Sequence, residues 1–161
     1  MLTFQDERES REFMAKGARR EIRNYSENFS FFLAREDGGT GFRMGLYDLS
    51  QMFLEGFGRR LANLGIAVLR ERREGYRELQ IGLKEFELDM VVSNWEARMA
   101  YEARLVQDGE LLAKQVISGK SERYKWIGHG EADKAMSEIF TDTVNRLDVE
   151  RLFQMAGLQE G

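Results

Sequence analysis

Apolar residues recur at three- and four-residue steps in two stretches of the chain, and this spacing predicts two main helices. The first helix is expected from about Asp48 to Leu64, with Gly65 as the residue that ends it. Its apolar stripe consists of Leu49, Met52, Phe53, Gly56, Phe57, Leu61 and Leu64. Gly56 and Gly58 each cost a helix up to about 1 kcal/mol relative to alanine. We expect close packing on a sheet to account for them.

The second helix is predicted to begin after Gly128-His129-Gly130. Its stripe consists of Ala132, Ala135, Met136, Ile139, Phe140, Val144 and Leu147. Acidic residues suit the first turn of a helix, and Glu131 and Asp133 lie there. Asp148 can cap a short continuation that ends at Gly157.

Strict alternation of apolar and polar residues predicts strands between these helices. In the clearest strand the apolar positions are Trp95, Ala97, Met99, Tyr101, Ala103 and Leu105, and the other face is mostly charged. The pair Asp108-Gly109 suits a tight hairpin turn, so Leu111 to Ile117 is expected to fold back antiparallel.

An earlier alternating stretch follows Gly75 and changes parity part-way along. The positions of one parity are Leu79, Ile81 and Leu83, and those of the other are Phe86, Leu88, Met90 and Val92. A β-bulge near Lys84-Glu85 would direct both sets into one core. Ile66 and Val68 show the same two-residue period, which also favours a strand there.

The first part of the chain has a weaker pattern. Leu2 and Phe4 predict a short strand, residues 6–28 a long polar loop that could hold a helical turn, and Phe29 to Leu33 a second strand. The order of elements therefore predicts a single α+β domain over residues 1–161. We expect an antiparallel or mixed sheet of about five to six strands, with two main helices packed on one face.

The amino-acid composition limits the classes of function that the chain can have. The chain has 161 residues, 42% hydrophobic and 32% charged, which suffice for one core-forming domain. Because the chain contains no cysteine and one histidine, disulfides, thiolate nucleophiles, iron–sulfur clusters and multi-histidine zinc sites are excluded. No stretch approaches the roughly 18 consecutive apolar residues of a membrane span.

The charges do not predict a nucleic-acid partner. The net charge is −4, and arginines alternate with glutamates in Arg70-Glu71-Arg72-Arg73-Glu74. Such interleaving is typical of a solvated face rather than of a phosphate-binding patch.

Three groups of residues could carry chemistry, and each has a plainer interpretation. His129 could act as a general base or contact an anion at a helix start, but a loop histidine is the simpler interpretation. Asp6, Glu7 and Glu9 could form a paired-carboxylate site, although Arg8 and Arg11 are close enough to neutralise them. Gly38-Gly39-Thr40-Gly41 lacks the lysine-serine ending of a phosphate loop. The sequence therefore predicts no catalytic, cofactor-binding or metal-ligating residue, and no enzyme.

Aromatic residues outside the predicted core are candidates for binding a partner. These residues are Phe29, Phe31, Phe32, Tyr124 and Trp126. Alternation can bury either Phe32 or the Phe29/Phe31 pair, and Tyr124 and Trp126 lie beyond the predicted hairpin. An exposed aromatic residue on an edge strand favours pairing with another chain, so a homo-oligomer through a sheet edge is one expectation.

Several segments resemble the YajG-like bacterial lipoproteins, and the chain is also similar to auxiliary lipoproteins of envelope transport systems. The segments are a strand ending in Asp6-Glu7-Arg8, a helix ending in Arg59-Arg60-Leu61-Ala62-Asn63-Leu64-Gly65-Ile66, the hairpin Ala103-Arg104-Leu105-Val106-Gln107-Asp108-Gly109-Glu110, and the helix from Ala135 to Leu147. The resemblance covers most of the chain, through motifs of low specificity.

The resemblance implies a non-enzymatic, periplasm-facing domain of the cell envelope that acts as a structural or accessory module. Its partners would be other envelope proteins. Members of that family begin with a signal peptide and a lipid-modified cysteine, so the full-length protein would touch a membrane only through an N-terminal lipid anchor absent from this chain. The alternative hypothesis is a soluble cytoplasmic domain that binds a small molecule or a protein.

Overall fold

The computed structural model describes residues 1–10, 12–22, 30–33, 42–45, 49–125 and 130–157. Its helices and strands follow one another along the chain as β1 (Leu2–Asp6), α1 (Lys16–Ile22), β2 (Ser30–Leu33), β3 (Phe42–Gly45), α2 (Leu49–Asn63), β4 (Arg77–Val91), β5 (Asn94–Gln107), β6 (Glu110–Tyr124), α3 (Gly130–Asn145) and α4 (Val149–Met155). The predicted helices correspond to α2, α3 and α4. The helical turn allowed for in the first loop is α1.

Four of these strands form a mixed sheet in the order β1-β4-β5-β6. β1 is parallel to β4, whereas β4, β5 and β6 pair antiparallel through two hairpins. β2 and β3 form a separate antiparallel pair. The α+β class is confirmed, but a single sheet of five to six strands is wrong. The reason is that the strand predicted at Phe29 to Leu33 pairs locally with β3, which the sequence pattern did not reveal.

The two hairpin features predicted from the sequence are present. Asp108 and Gly109 both have positive φ angles, 49° and 89°, as a two-residue turn of right-handed twist requires. The β4–β5 register shifts between Leu83 and Glu85, which confirms the predicted bulge. β6 is longer than expected and continues to Tyr124.

Two predictions for apolar residues are wrong. Val92 is not in the core: it lies in the turn between β4 and β5, is 97% exposed and has a φ of 58°. The pairing of Val91 with Asn94 leaves Val92 in the turn itself, so its parity with Met90 is accidental. Ile66 and Val68 belong to no strand, because the segment between α2 and β4 is irregular.

The core lies between the main sheet and the helices, and β5 supplies its centre. The predicted apolar face of β5 is buried from Trp95 to Leu105. α2 packs there through Phe57, whose ring meets that of Tyr101 edge-on with centroids 5.0 Å apart. α3 reaches the same residue, because the Tyr101 hydroxyl donates a hydrogen bond of 2.7 Å to the Thr143 carbonyl. Both main helices therefore pack on one face of the sheet.

The Tyr101 hydroxyl is the polar end of an otherwise apolar stripe. Its side chain is fully buried, and this burial raises the pKa of the Tyr101 phenol above its ordinary value. Thr143 is also fully buried, and its hydroxyl donates to the Ile139 carbonyl at 2.6 Å. Because both groups are hydrogen-bonded, their burial carries no large desolvation cost.

Gly56 permits the close approach of α2 to α3. A Cβ atom at this position would lie 2.7 Å from the Phe140 ring, whereas a Cβ at Gly58 would meet nothing within 4 Å. The packing expected for both glycines is therefore found at Gly56 alone, and its partner is a helix rather than the sheet.

We expect Gly56→Ala to lower the free energy of unfolding by about 1–2 kcal/mol, because overpacking outweighs the gain in helix propensity. The matched control Gly58→Ala should raise it by about 0.5–1 kcal/mol, since it gains propensity without a clash. Urea unfolding followed by circular dichroism measures both. Equal shifts of the same sign would show that the Phe140 contact does not limit this position.

Candidate interaction surfaces

The structure describes three of the five aromatic residues predicted to bind a partner. Tyr124 ends β6, opposite Asn94 of β5, and is 59% exposed. Phe31 and Phe32 lie in β2, paired with Met44 and Arg43. Phe29 and Trp126 are outside the described residues, as are His129 and residues 38–41. Tyr124 and the two phenylalanines belong to different sheets, so they do not form one stripe along a shared sheet.

Asp6 and Glu7, near the end of β1, are neutralised by ion pairs. Arg8 pairs with Asp6, at 2.8 Å between Nη2 and Oδ2. Glu7 accepts from Lys84 at 2.5 Å and also pairs with Arg104. The sequence suggested Arg8 as a partner for these acids, and for Glu7 the two partners come instead from β4 and β5. Across the described residues no group of three or more His, Asp or Glu side chains could hold a metal ion.

A glycine lets the Glu7–Arg104 pair form across a strand. Gly82 of β4 lies between β1 and β5, and a Cβ there would overlap both the Arg104 guanidinium and the Glu7 carboxylate. Arg104 of β5 can therefore cross above β4 to reach Glu7. Together, these contacts join three neighbouring strands through side chains as well as through backbone hydrogen bonds.

The ion pairs continue over the side of the main sheet opposite the core, here called the outer face. Arg104 also pairs with Glu102, which Lys114 of β6 approaches at 3.4 Å. Further along, Arg98 and Lys120 both contact Glu96, at 2.9 and 3.0 Å. Lys120 donates hydrogen bonds to Glu122 and to Glu96, and these bonds raise the pKa of Lys120. The outer face is thus charged and largely self-neutralised.

β6 is the second candidate surface. It pairs with β5 along its whole length, and no described strand pairs with its other side. We call this side, together with the outward Val116 and Tyr124, the β6 edge. Val116 is 68% exposed. Arg146 covers one point of this edge by donating to the Ser118 carbonyl at 2.7 Å.

A third surface lies at the end of the sheet where β4 starts and β5 ends. It is a cavity of about 460 Å³, here called the end groove, between the segment 66–69, the start of β4 and α4. Its apolar lining includes Leu61, Ile66, Val68, Leu69, Leu105 and Phe153. The Arg77 guanidinium lies 6.0 Å from the centroid of the Phe153 ring.

Sequence reasoning missed the end groove. The signal was the run of four apolar residues at 66–69, placed between the helix-ending Gly65 and a charged segment. Its alternation predicts a strand, but the run lines a groove instead. None of the helices in the described ranges is both long enough and apolar enough to cross a membrane.

Comparisons with known proteins show the fold. No family model matches the chain, and no curated protein matches it. The structure is similar to the crystal structure of a DUF330-family protein from Xanthomonas campestris, with a TM-score of 0.59 and 16% identity over 97% of this chain and 83% of that chain. The two proteins therefore share a fold over nearly all of this chain.

Two further solved structures are more distant. A candidate lipoprotein from Caulobacter crescentus matches with a TM-score of 0.46 and 14% identity, over 67% of this chain and 83% of that chain. Lipoprotein GNA1162 from Neisseria meningitidis matches with a TM-score of 0.29 and 12% identity, over 89% and 95% of the two chains.

The ion pairs of Glu7 predict a pH-dependent contribution to stability. Hydrogen bonds from Lys84 and Arg104 hold the pKa of Glu7 below its ordinary value of 4.5, against an opposing effect of burial. The stabilisation is complete above that value and is lost as the pH falls through the lower, folded-state pKa. Glu7→Gln should therefore lower the free energy of unfolding by about 1 kcal/mol at neutral pH.

The difference between Glu7→Gln and the unsubstituted protein should shrink as the pH falls below the ordinary glutamate value of 4.5. Urea unfolding from neutral pH to about pH 3 measures it. Glu9→Gln is the control, because Glu9 is an exposed neighbour whose loss should change stability little at any pH. A constant Glu7→Gln effect across the range would contradict the assignment.

Proposed function

We propose that this chain is a non-enzymatic accessory domain of the bacterial cell envelope, which recruits another protein chain through the β6 edge. The observation that carries the proposal is a strand of 15 residues that, among the described strands, is paired on one side and that bears exposed Val116 and Tyr124. A strand with an unpaired side offers backbone N–H and C=O groups to an incoming strand, and exposed apolar side chains beside it add affinity.

The lysines of β6 support this interpretation. Lysine often protects an edge strand by leaving an unpaired charge beside it. Here Lys114 pairs with Glu102, and Lys120 pairs with Glu96 and Glu122 on the outer face. Because their charges are engaged, these lysines oppose strand addition less than free lysines would.

The envelope location is supported by the YajG-like resemblance, which implies a lipoprotein that assists other envelope proteins. The fold shared with the DUF330-family protein is compatible with that resemblance. The proposed partner is another envelope protein, and a second copy of this chain is the other protein that could pair with the same edge.

Photo-crosslinking tests the edge. A crosslinking amino acid at Tyr124, in cells that express the native reading frame, should capture a defined protein partner or a second copy. The same amino acid at Glu150, exposed on α4, should not capture it. With the crosslinking amino acid at Val116 of the same edge instead, Tyr124→Ala should reduce the yield at least about fivefold, since exposed tyrosines often contribute strongly to an interface. Equal capture from both positions would contradict the proposal.

Fractionation of the same cells with labelled palmitate tests the location. Label on the protein in the membrane fraction is the expected result. An unlabelled protein in the cytosol would overturn the envelope assignment and favour a soluble binding domain, whatever the crosslinking shows about the β6 edge.

A further inference from the structure

We propose that the end groove binds an apolar segment of a partner protein that carries acidic residues. This goes beyond the function proposed above, because it uses another surface and names the chemistry of the occupant. The groove lies where β4 starts, whereas Tyr124 pairs near the other end of the sheet, opposite Asn94 at the start of β5. The two surfaces can therefore be tested separately.

The floor of the groove is apolar and firmly supported. Leu61 of α2, Leu105 of β5 and Leu152 of α4 all line it, and each is at most 4% exposed. Three different elements thus fix its shape. A floor of this kind favours the insertion of apolar side chains, because each methylene group that is buried contributes about 0.8 kcal/mol to the free energy of binding.

The wall of the groove is open, and this favours a peptide over a small ligand. Val68 and Tyr76 line the cavity and remain 39% and 56% exposed. A small-molecule pocket typically encloses about 70–90% of its ligand. A half-open groove bordered by exposed apolar side chains instead suits a segment that continues beyond it, with one or two side chains inserted as anchors.

The positive charge of the segment beside the groove favours an acidic occupant. Residues 70–77, here called the rim, join the lining residue Leu69 to the lining residues Gly75, Tyr76 and Arg77. This segment carries four arginines, Arg70, Arg72, Arg73 and Arg77, against two glutamates, Glu71 and Glu74, and of the arginines Arg77 lines the groove itself. Among the residues that the structure describes, no aspartate or glutamate lines the groove. Such a surplus of guanidinium groups beside an apolar floor complements carboxylates on an otherwise apolar segment.

The arginines at this rim differ from those of the outer face. Arg98 and Arg104 each contact two carboxylates. In contrast, within the described part of the chain none of the four rim arginines lies within 4.0 Å of a carboxylate. Arg77 lies over the Phe153 ring, a position from which its N–H groups can pair with a carboxylate above the apolar floor. Residues 70–74, whose interleaved charges predict a solvated face, are all exposed, and they connect the lining residues Leu69 and Gly75.

A displayed random-peptide library, selected on the purified protein, tests the proposal without assuming a ligand. Enriched peptides should combine large apolar residues with Asp or Glu. Fluorescence anisotropy of a selected peptide should then show binding at least about tenfold weaker for Val68→Asp, which places a charge on the apolar wall. The double substitution Arg72→Glu with Arg73→Glu should weaken peptide binding about tenfold as well. Added salt should weaken binding of the peptide to the unsubstituted protein.

Matched controls separate the groove from the rest of the surface. Arg20→Glu reverses an exposed charge on α1, and Tyr124→Ala removes the exposed tyrosine of the β6 edge. Both should bind the selected peptide within about twofold of the unsubstituted protein. Tyr76→Ala, a tyrosine of similar exposure on the groove, should bind it more weakly. Thermal unfolding confirms that Val68→Asp is folded, which its place outside regular structure favours.

Three outcomes would overturn the proposal. The first is a library that yields no peptide, or only peptides without acidic residues. The second is equal binding by the groove variants and the controls. The third is that vesicles of phosphatidylglycerol bind the unsubstituted protein, but not Val68→Asp, and displace the peptide, because the occupant would then be an anionic lipid. None of these outcomes affects crosslinking from Tyr124, so failure of the groove proposal is distinguishable from failure of the β6 edge.

Discussion

Burial of one face of β5 is the constraint on which the rest of the structure depends. Every second residue from Trp95 to Leu105 is apolar and at most 2% exposed, and this stripe has no other way to leave water than beneath helices. Phe57 of α2 and Thr143 of α3 both meet Tyr101 at its centre. Because two helices share one strand as their floor, they must also approach each other, and Gly56 makes that approach possible against Phe140.

The opposite face of the same strand is stabilised by a different interaction. Its residues alternate with the buried stripe, so Arg98 and Arg104 point away from the helices, where Arg98 meets Glu87 of β4 and Arg104 meets Glu7, which follows β1. The pair that crosses Gly82 ties β1, the shortest strand of the sheet, to β5 two strands away. A partner that binds this side would have to compete with charges that are already paired. The β6 edge and the end groove are therefore better suited to binding a partner.

The parts of the fold that local pattern determines were predictable. Alternation from Trp95, the Asp108-Gly109 turn and the bulge beside Lys84 each depend on neighbouring residues, and each is found. The wrong predictions concern pairing at a distance. Nothing local to Val92 distinguishes a strand residue from a turn residue, since only its register against β5 decides. Likewise, Gly56 gave the correct signal of close packing but not its partner. The sequence offers Tyr124 as a candidate for binding a partner because it lies beyond the predicted hairpin, and the structure shows it exposed. The sequence pattern does not predict the end groove, because a groove joins segments far apart in sequence.

The segment between α2 and β4 shows why folding alone does not account for all of this surface. Folding buries most large apolar side chains, and here Val68 stays outside the core although its neighbours Leu61 and Leu79 are within it. The arginines that follow add charge without carboxylate partners among the described residues, so they contribute little to the stability of the isolated chain. The exposed apolar wall has a cost in water that is removed when another surface covers it. The arginines are hydrated, and carboxylates of a bound segment would give them partners. An apolar wall and a cationic rim that the fold itself does not use are therefore better explained by association than by stability.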